Sequence, residues 1–514
     1  MPALSAIDLA MFMLETRERP FNIGPLVLLR PPAGFKGSFA DKLHAKLLKR
    51  PPGAPFNYRL MMSLTHPPSV EPMVDPDIRP HVHRLTLQHA SMPQLLEKVC
   101  VLHETQLDRS GLLWQFYVID GLADGAVALY GKVHHGIIDG RTFVKAVTQW
   151  MSEDPKDKDV RAMWDGVARS AKGAGKRIGM VQRLFAAGTQ AVGLVRSAAG
   201  VYGLLAEQGL RSAGLGKGLP LPFLNVPRVF DGKLSARRSY AYCTLPLAEI
   251  KAVGMAHGAT VNDMLLTVLD IAMQRYLARQ KKIAKEPLVA DMPVALGDGA
   301  KGGNQIAVLQ FPLGQAAASV SERLSAIRAE TGRLKDALGK RGSDTVMLYT
   351  TLVHALPLLV ERVAENAAPK LSNLLISNPF GFAGEPYLMG AKVELALPVS
   401  VVAAGHKLNV TAVTLGPRLQ IGFLAMPEAV PHIEQLARLT EQAFDEVKAA
   451  LMPEAPEAEA VGGAAPKRPP ARKATATRRA PVRAKAARTV TGKAPRKAQG
   501  TAAAKRKAGA ARAR

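Results

Sequence analysis

The chain has 514 residues, 47% of them hydrophobic and 21% charged, which fits a folded protein too long for one core and points to two domains. Its formal charge is +26, yet residues 467–514 carry 17 of the 68 lysines and arginines and no acid, leaving residues 1–466 with 51 basic against 42 acidic residues, a net +9. A mildly basic body suits an anionic cofactor or a membrane surface. Only Cys100 and Cys243 occur, with no CxxC pair, so a disulfide framework and a cysteine zinc site are excluded and a reducing cytoplasm is expected.

Residues 1–8, MPALSAID, lack a basic segment followed by an apolar one, so no secretory leader is expected. Asp41–Leu48 and Ser91–His103 read as helices, the second with Leu95, Leu96 and Val99 at helical spacing. Trp114–Ile119 and Ala126–His134 are two β-rich runs around the turn residues 120–125, DGLADG, which predicts a hairpin. After Gly140 the period becomes helical, with Phe143, Val144, Val147, Trp150 and Met151 on one face. Residues 151–225 turn rich in Ala, Gly, Lys and Arg and read as a crossover ended by Pro220, Pro222 and Pro227. Within it Leu184–Leu205 holds one charge, Arg196, but its Ala/Gly content favours a packed or surface-lying helix over a membrane span. Strands are then expected at Tyr240–Leu245, Leu288–Met292, Ala307–Phe311, Leu374–Ser377, Leu408–Val413 and Leu419–Leu424. A strong helix spans Val261–Leu277, and a last one carries Ile433, Leu436, Leu439, Phe444 and Val447. Pro453–Arg514 has no aromatic residue and too little apolar surface to offset ordering, so a disordered tail is expected.

The chemistry concentrates at residues 134–140, HHGIIDG, where a strand ends and a helix begins. Histidine suits a general base because its pKa lies near working pH. Gly136 and Gly140 allow a sharp backbone turn, and Asp139 can brace the loop through an arginine or backbone donors. Other readings stay open on spacing alone. Adjacent strand residues face opposite ways, so one histidine packs; Asp139 can be simply an N-cap. Adjacent histidines after a strand match no usual zinc pattern, so no metal is expected.

The run HHGIIDG matches the HHxxxDG motif of the CoA-dependent acyltransferase superfamily. Over nearly all of residues 1–450 the chain resembles the bacterial wax ester synthase/diacylglycerol acyltransferase family. The resemblance is carried by residues 4–8, LSAID, by 107–114, LDRSGLLW, by Thr260-Val261-Asn262-Asp263, by Ser377-Asn378-Pro379 and by Leu408-Asn409-Val410-Thr411. Leu112 stands where the family usually has proline and Gln115 where it commonly has an acid, and the late segment reads Asn-Pro-Phe-Gly rather than Asn-Val-Pro-Gly-Pro. These departures leave the base untouched and bear on acyl-chain and acceptor preference.

The resemblance implies an α/β fold of two chloramphenicol-acetyltransferase-like domains with the active site at their interface. Residues 1–150 would form the first domain, 151–235 a helical crossover, 236–452 the second domain and 453–514 the basic tail. His135 would remove the proton of the acceptor hydroxyl as it attacks an acyl-CoA thioester. His134 would support the strand end, Asp139 and Gly140 would shape the loop, and Asn262 and Asp263 would help form the site from the second domain. For the last two, a plain helix start is an equal reading. Acyl-CoA would be a co-substrate, with no tightly bound cofactor, and the acceptor diacylglycerol or a long-chain alcohol. Two alternatives remain: a non-lipid acceptor, as in condensation or polyketide-tailoring enzymes, or a weakly active paralogue with a polyanion-binding tail. Apolar substrates imply a cytoplasmic protein held peripherally on the inner membrane face or on lipid droplets. The tail would bind DNA or anionic lipid without sequence preference.

Overall fold

The structure, a computed structural model, describes residues 6–62, 68–167, 197–216, 218–296, 306–315, 317–361, 370–378 and 381–452, all within the compact unit Met1–Ala455. The expected tail, residues 168–196 and 217 of the crossover, and Pro379 lie outside the described residues.

The N-terminal half runs α1 (Ala6–Leu14), β1 (Asn22–Arg30), α2 (Phe39–Leu47), a small hairpin of β2 (Tyr58–Met61) and β3 (Ser69–Pro72), β4 (Val82–Ala90), α3 (Met92–Glu104), β5 (Trp114–Leu122), β6 (Val127–His134), a 3₁₀ turn (His135–Ile137) and α4 (Gly140–Trp150). The second half opens with a helix over 197–212, α5. It continues with β7 (Ser239–Pro246), α6 (Leu247–Ala256), α7 (Val261–Arg279), β8 (Val289–Ala295), β9 (Ile306–Pro312), α8 (Val320–Gly339) and α9 (Ser343–Glu361). β10 (Leu374–Ser377), β11 (Tyr387–Leu388), β12 (Ala391–Val399), β13 (Leu408–Leu415), β14 (Arg418–Ala425) and α10 (Ile433–Leu451) complete it.

Local signals explain many of these boundaries. The β5–β6 hairpin turns over residues 123–125, where Gly125 has a φ of 74° in the left-handed region open to glycine, while Gly121 (φ 76°) sits near the end of β5 where a β-carbon would strike Leu87 O of β4. Helices α7 and α8 begin with a reciprocal capping box, Thr260 with Asp263 and Ser319 with Glu322, so two backbone donors are met at each start, and at α3 Gln94 accepts the Ser91 N–H at 2.8 Å.

Two six-stranded sheets result, in the orders β11-β12-β1-β6-β5-β4 and β7-β14-β13-β10-β8-β9. The first sheet takes its strands from both halves of the chain: β12 pairs antiparallel with β1, Leu26 opposite Leu397. β6 lies between β1 and β5, buried along its whole length. One core packs α2, α4 and residues 160–167 against this sheet, and another packs α7, α8 and α10 on the second. A third joins the two sheets, with Leu96, Tyr130, Tyr240, Leu397 and Leu424 in one cluster. Polar ties reinforce that junction: the Tyr240 hydroxyl donates to Pro398 O (3.0 Å), and buried Arg19 donates from Nη1 to Ala403 O (2.5 Å) and His406 O (3.2 Å).

Candidate active site

β6 delivers two histidines to the end of a fully buried strand. His134 is opposite Asn22 of β1, and its N–H donates to Leu113 O at 2.9 Å. Its ring is fully buried and lies flat against Phe12 of α1, with centroids 4.1 Å apart. Nδ1 accepts the Gly136 N–H at 3.0 Å, so Nδ1 bears no proton and the neutral ring carries its hydrogen on Nε2. That nitrogen faces Glu15 Oε2 at 3.7 Å, beyond hydrogen-bond range. His134 is thus fixed in one tautomer as packing.

Glu15 is itself buried and held by several donors. It accepts the Phe21 N–H (3.1 Å) and both Nε (3.2 Å) and Nη2 (2.7 Å) of Arg109, while Arg109 Nη2 also reaches Phe12 O (2.8 Å). Burial pushes its pKa up, but the His134 Nε2–H turned towards it, the Arg109 guanidinium and the Phe21 amide together outweigh that and the carboxyl sits below its ordinary value. Neither Glu15 nor Phe12 carried a sequence signal. Arg109 lay within the segment 107–114 that resembles the family, with no role attached to it.

His135 is handled differently. Its backbone N–H donates to Phe21 O at 2.8 Å, which fixes the loop, while the side chain keeps partial exposure. Nδ1 is buried and closes no well-formed hydrogen bond among the described residues. Burial lowers the pKa of the ring, with a further push from His134, against weaker opposing effects of its own backbone, Asp8 and Asp139. A neutral imidazole with an open nitrogen is the state a general base requires.

The loop after it is braced by Asp139, the N-cap of α4. One carboxylate oxygen accepts the Thr142 N–H (2.9 Å) and the other the Thr142 hydroxyl (2.8 Å). Backbone and hydroxyl donors therefore supply the brace. Gly136 is required by packing, since a β-carbon there would lie 2.6 Å from the Phe12 ring and 3.0 Å from His134 Nδ1. Gly140 is the first residue of α4.

Asn262 and Asp263 stand at the start of α7, in the other half of the chain. Asp263 accepts the N–H (2.8 Å) and hydroxyl (2.7 Å) of Thr260 through Oδ2, and Thr331 of α8 through Oδ1 (2.8 Å). Its carboxylate is committed to capping α7 and tying it to α8. Asn262 is half-buried beside it. Among the described residues no group of three or more His, Cys, Asp or Glu side chains is placed to hold a metal ion.

Comparison with known proteins agrees with the layout. Residues 4–265 match the wax ester synthase/diacylglycerol acyltransferase catalytic domain, and residues 302–448 match the C-terminal domain of the same family. A probable diacylglycerol O-acyltransferase of Mycobacterium tuberculosis is 33% identical over 469 residues, covering 87% of this chain and 97% of that one. A second from the same organism is 29% identical over 460 residues, covering 86% and 98%. Among solved structures, the wax ester synthase/diacylglycerol acyltransferase from Marinobacter aquaeolei superposes with a TM-score of 0.65 at 24% identity, covering 88% of this chain and all of that one. The first condensation domain of the calcium-dependent antibiotic synthetase gives 0.51 at 16%, covering 88% and 97%. The structural likenesses establish the fold, a mixed α/β architecture shared with condensation domains. With the catalytic and C-terminal domains both matched in order, the chain belongs to the wax ester synthase/diacylglycerol acyltransferase family and is an acyltransferase.

Proposed function

We propose that the chain moves a long-chain acyl group from acyl-CoA to the hydroxyl of diacylglycerol or a long-chain alcohol, with His135 as general base. The observation that carries this reading is the contrast within the histidine pair: His134 is locked by Phe12 and Gly136, whereas His135 keeps an open nitrogen and a lowered pKa. The acceptor O–H proton passes to His135 as its oxygen bonds to the thioester carbonyl carbon. Collapse of the tetrahedral adduct breaks the C–S bond, and the imidazolium returns the proton to the departing CoA sulfur. Ester and free CoA are the products, and no bound cofactor enters the balance.

The supporting residues act on position. His134 seats the strand end on α1, Asp139 and Gly140 set the exit of the loop into α4, and Asn262 and Asp263 fix the start of α7. Residues 1–150 then supply the base, 236–452 the opposing half of the site, 151–235 the crossover and 453–514 the charged tail. A lipid surface fits as a partner. No helix among the described residues is long and apolar enough to cross a membrane, while α5 leaves Tyr202, Leu205 and Leu210 exposed. A cytoplasmic protein resting on the inner membrane face or on lipid droplets would reach its substrates through such a face.

The test is CoA release from palmitoyl-CoA with hexadecanol or a diacylglycerol. His135→Ala should cut turnover by roughly 10²–10⁴ with an unchanged melting temperature. Turnover within about threefold of the parent would remove His135 from the chemistry. No release with either acceptor would redirect the search to non-lipid acceptors.

A further inference from the structure

Glu15 lies one residue past the end of α1, and its side chain is 1% exposed. The groups arranged around its carboxylate are donors. Oε1 accepts the Phe21 N–H at 3.1 Å, which closes the loop between α1 and β1. Oε2 accepts Nε (3.2 Å) and Nη2 (2.7 Å) of Arg109, and the Nε2–H of His134 faces it across 3.7 Å.

Two of those donors lead on to the backbone of His135. The Phe21 carbonyl accepts the His135 N–H at 2.8 Å, and His134 Nδ1 accepts the Gly136 N–H at 3.0 Å. These are the amides on either side of the His135 Cα. Both peptide planes that aim its ring are therefore tied to groups held by one carboxylate. Nδ1 of His134 can accept only while the ring proton sits on Nε2, and an anion facing Nε2 in a buried setting favours that tautomer. Arg109 adds a third line. Its Nη2 also donates to Phe12 O at 2.8 Å, and its guanidinium lies 5.9 Å from the centroid of the Phe12 ring, the ring stacked on His134.

The charge of Glu15 matters as much as its shape. Burial resists ionisation, and the donors of His134, Arg109 and Phe21 overcome it, so the carboxyl stays ionised below its ordinary pKa. Lys132, two residues before His134 on β6, also lies within reach of that charge. We propose that Glu15, charge-matched by Arg109, is the positioning residue of the catalytic loop, fixing through Phe21 and His134 the two peptide planes that orient the His135 ring. The proposal rests on the reading of His135 as general base. Glu15 acts through its neighbours, and the transferred proton does not pass through it.

The experiment measures CoA release from palmitoyl-CoA with hexadecanol, beside hydrogen exchange of the full chain followed by mass spectrometry. Glu15→Gln is nearly isosteric, yet an amide has one acceptor oxygen and must turn its NH2 towards either Phe21 or Arg109, so one tie is lost. It should lower kcat by roughly 10- to 100-fold, the scale of a misplacement of about 1 Å, with the KM for palmitoyl-CoA unmoved. Residues 134–140 should lose exchange protection while α7 and α10 keep that of the parent. Arg109→Gln, at a side chain that is 36% exposed, covers the case in which Glu15→Gln fails to fold. It leaves the carboxylate buried without its cation, so the Glu15 pKa rises and protonation breaks the ties at a higher pH. The acid limb of kcat/KM should then move up from that of the parent. His135→Ala is measured beside both. Parental kcat in Glu15→Gln next to an inactive His135→Ala overturns the proposal and leaves the base in place. A fall in kcat with parental exchange over 134–140, or an acid limb that does not move in Arg109→Gln, overturns it as well. So does a loss of protection spread evenly over the chain, since Glu15 would then serve the fold as a whole. Parental turnover in His135→Ala overturns the base instead, and a local loss of protection in Glu15→Gln would still support the hold of Glu15 on the loop.

Discussion

His134 and His135 share a strand end and differ in what the fold leaves them free to do. For His134, a ring stacked on Phe12 and a filled Nδ1 remove both the mobility and the basic nitrogen that catalysis would need. For His135, burial disfavours the charged form, so the ring stays neutral to a lower pH than an exposed histidine, whose pKa is about 6.5. With His135 as the proposed base, the sign for activity follows: the ring is competent while unprotonated, and rate is lost as pH falls through its depressed pKa. The acid limb of kcat/KM should therefore have its midpoint below about 6.5, measured with a saturating, non-titrating acceptor such as hexadecanol. A midpoint above 7 would mean that another group limits the rate or that His135 lies in a more polar setting. At this scale the histidine pair was legible because the motif is contiguous. Glu15 and Arg109 were not, because each group meets its partner only after distant segments pack, and no local pattern marks a residue for that.

Elements were legible where their boundaries are set by neighbours in sequence. β10 spans the expected Leu374–Ser377, and α7 starts at the expected capping residues. β1 and β12 went unassigned for a physical reason. Gly24, Pro25 and Pro398 all read as strand breakers, yet Pro25 and Pro398 face each other in the ladder. Gly24 is needed because a β-carbon there would sit 1.6 Å from Gly131 O. Packing of β1 against β6 overrides the local preference. The start of α4 was legible, and it yields a test of what Asp139 does. Both of its oxygens bond Thr142, so Asp139→Ala should destabilise the protein by about 0.5–2 kcal/mol, the usual worth of an N-cap, and lower activity alongside. Asp139→Asn caps nearly as well and should retain melting temperature and most of the turnover. An asparagine variant that melts like the parent but is inactive would give the carboxylate a chemical role.

Across the whole molecule, the sequence separates a mildly basic enzyme from a strongly basic end, and no local rule foretold that β12 would cross back to complete the first sheet. Strand partners are chosen by the whole chain, so the two-layer plan came through the family resemblance and not through periodicity. The division of charge leads to a prediction about lipid surfaces. Two kinds of attraction are present: the apolar side chains exposed on α5, Tyr202, Leu205 and Leu210, and the 17 cations of residues 467–514. Apolar insertion is insensitive to salt. Cations near an anionic surface contribute roughly 1 kcal/mol each and are screened over about 10 Å at 0.1 M salt. On duplex DNA the same cations should give a log–log salt slope of about −0.9 per phosphate neutralised, without sequence preference, since the segment has no aromatic residue for stacking. Truncation after Leu451 should therefore abolish retention on heparin and DNA and remove the salt-sensitive part of binding to anionic vesicles. Binding to neutral vesicles should persist, and Tyr202→Ser with Leu205→Ser should then weaken it. Turnover on detergent-dispersed palmitoyl-CoA and alcohol should match that of the full chain. Loss of turnover on truncation would place residues 452–514 in the enzyme itself, and unchanged heparin retention would move the polyanion contact onto the body.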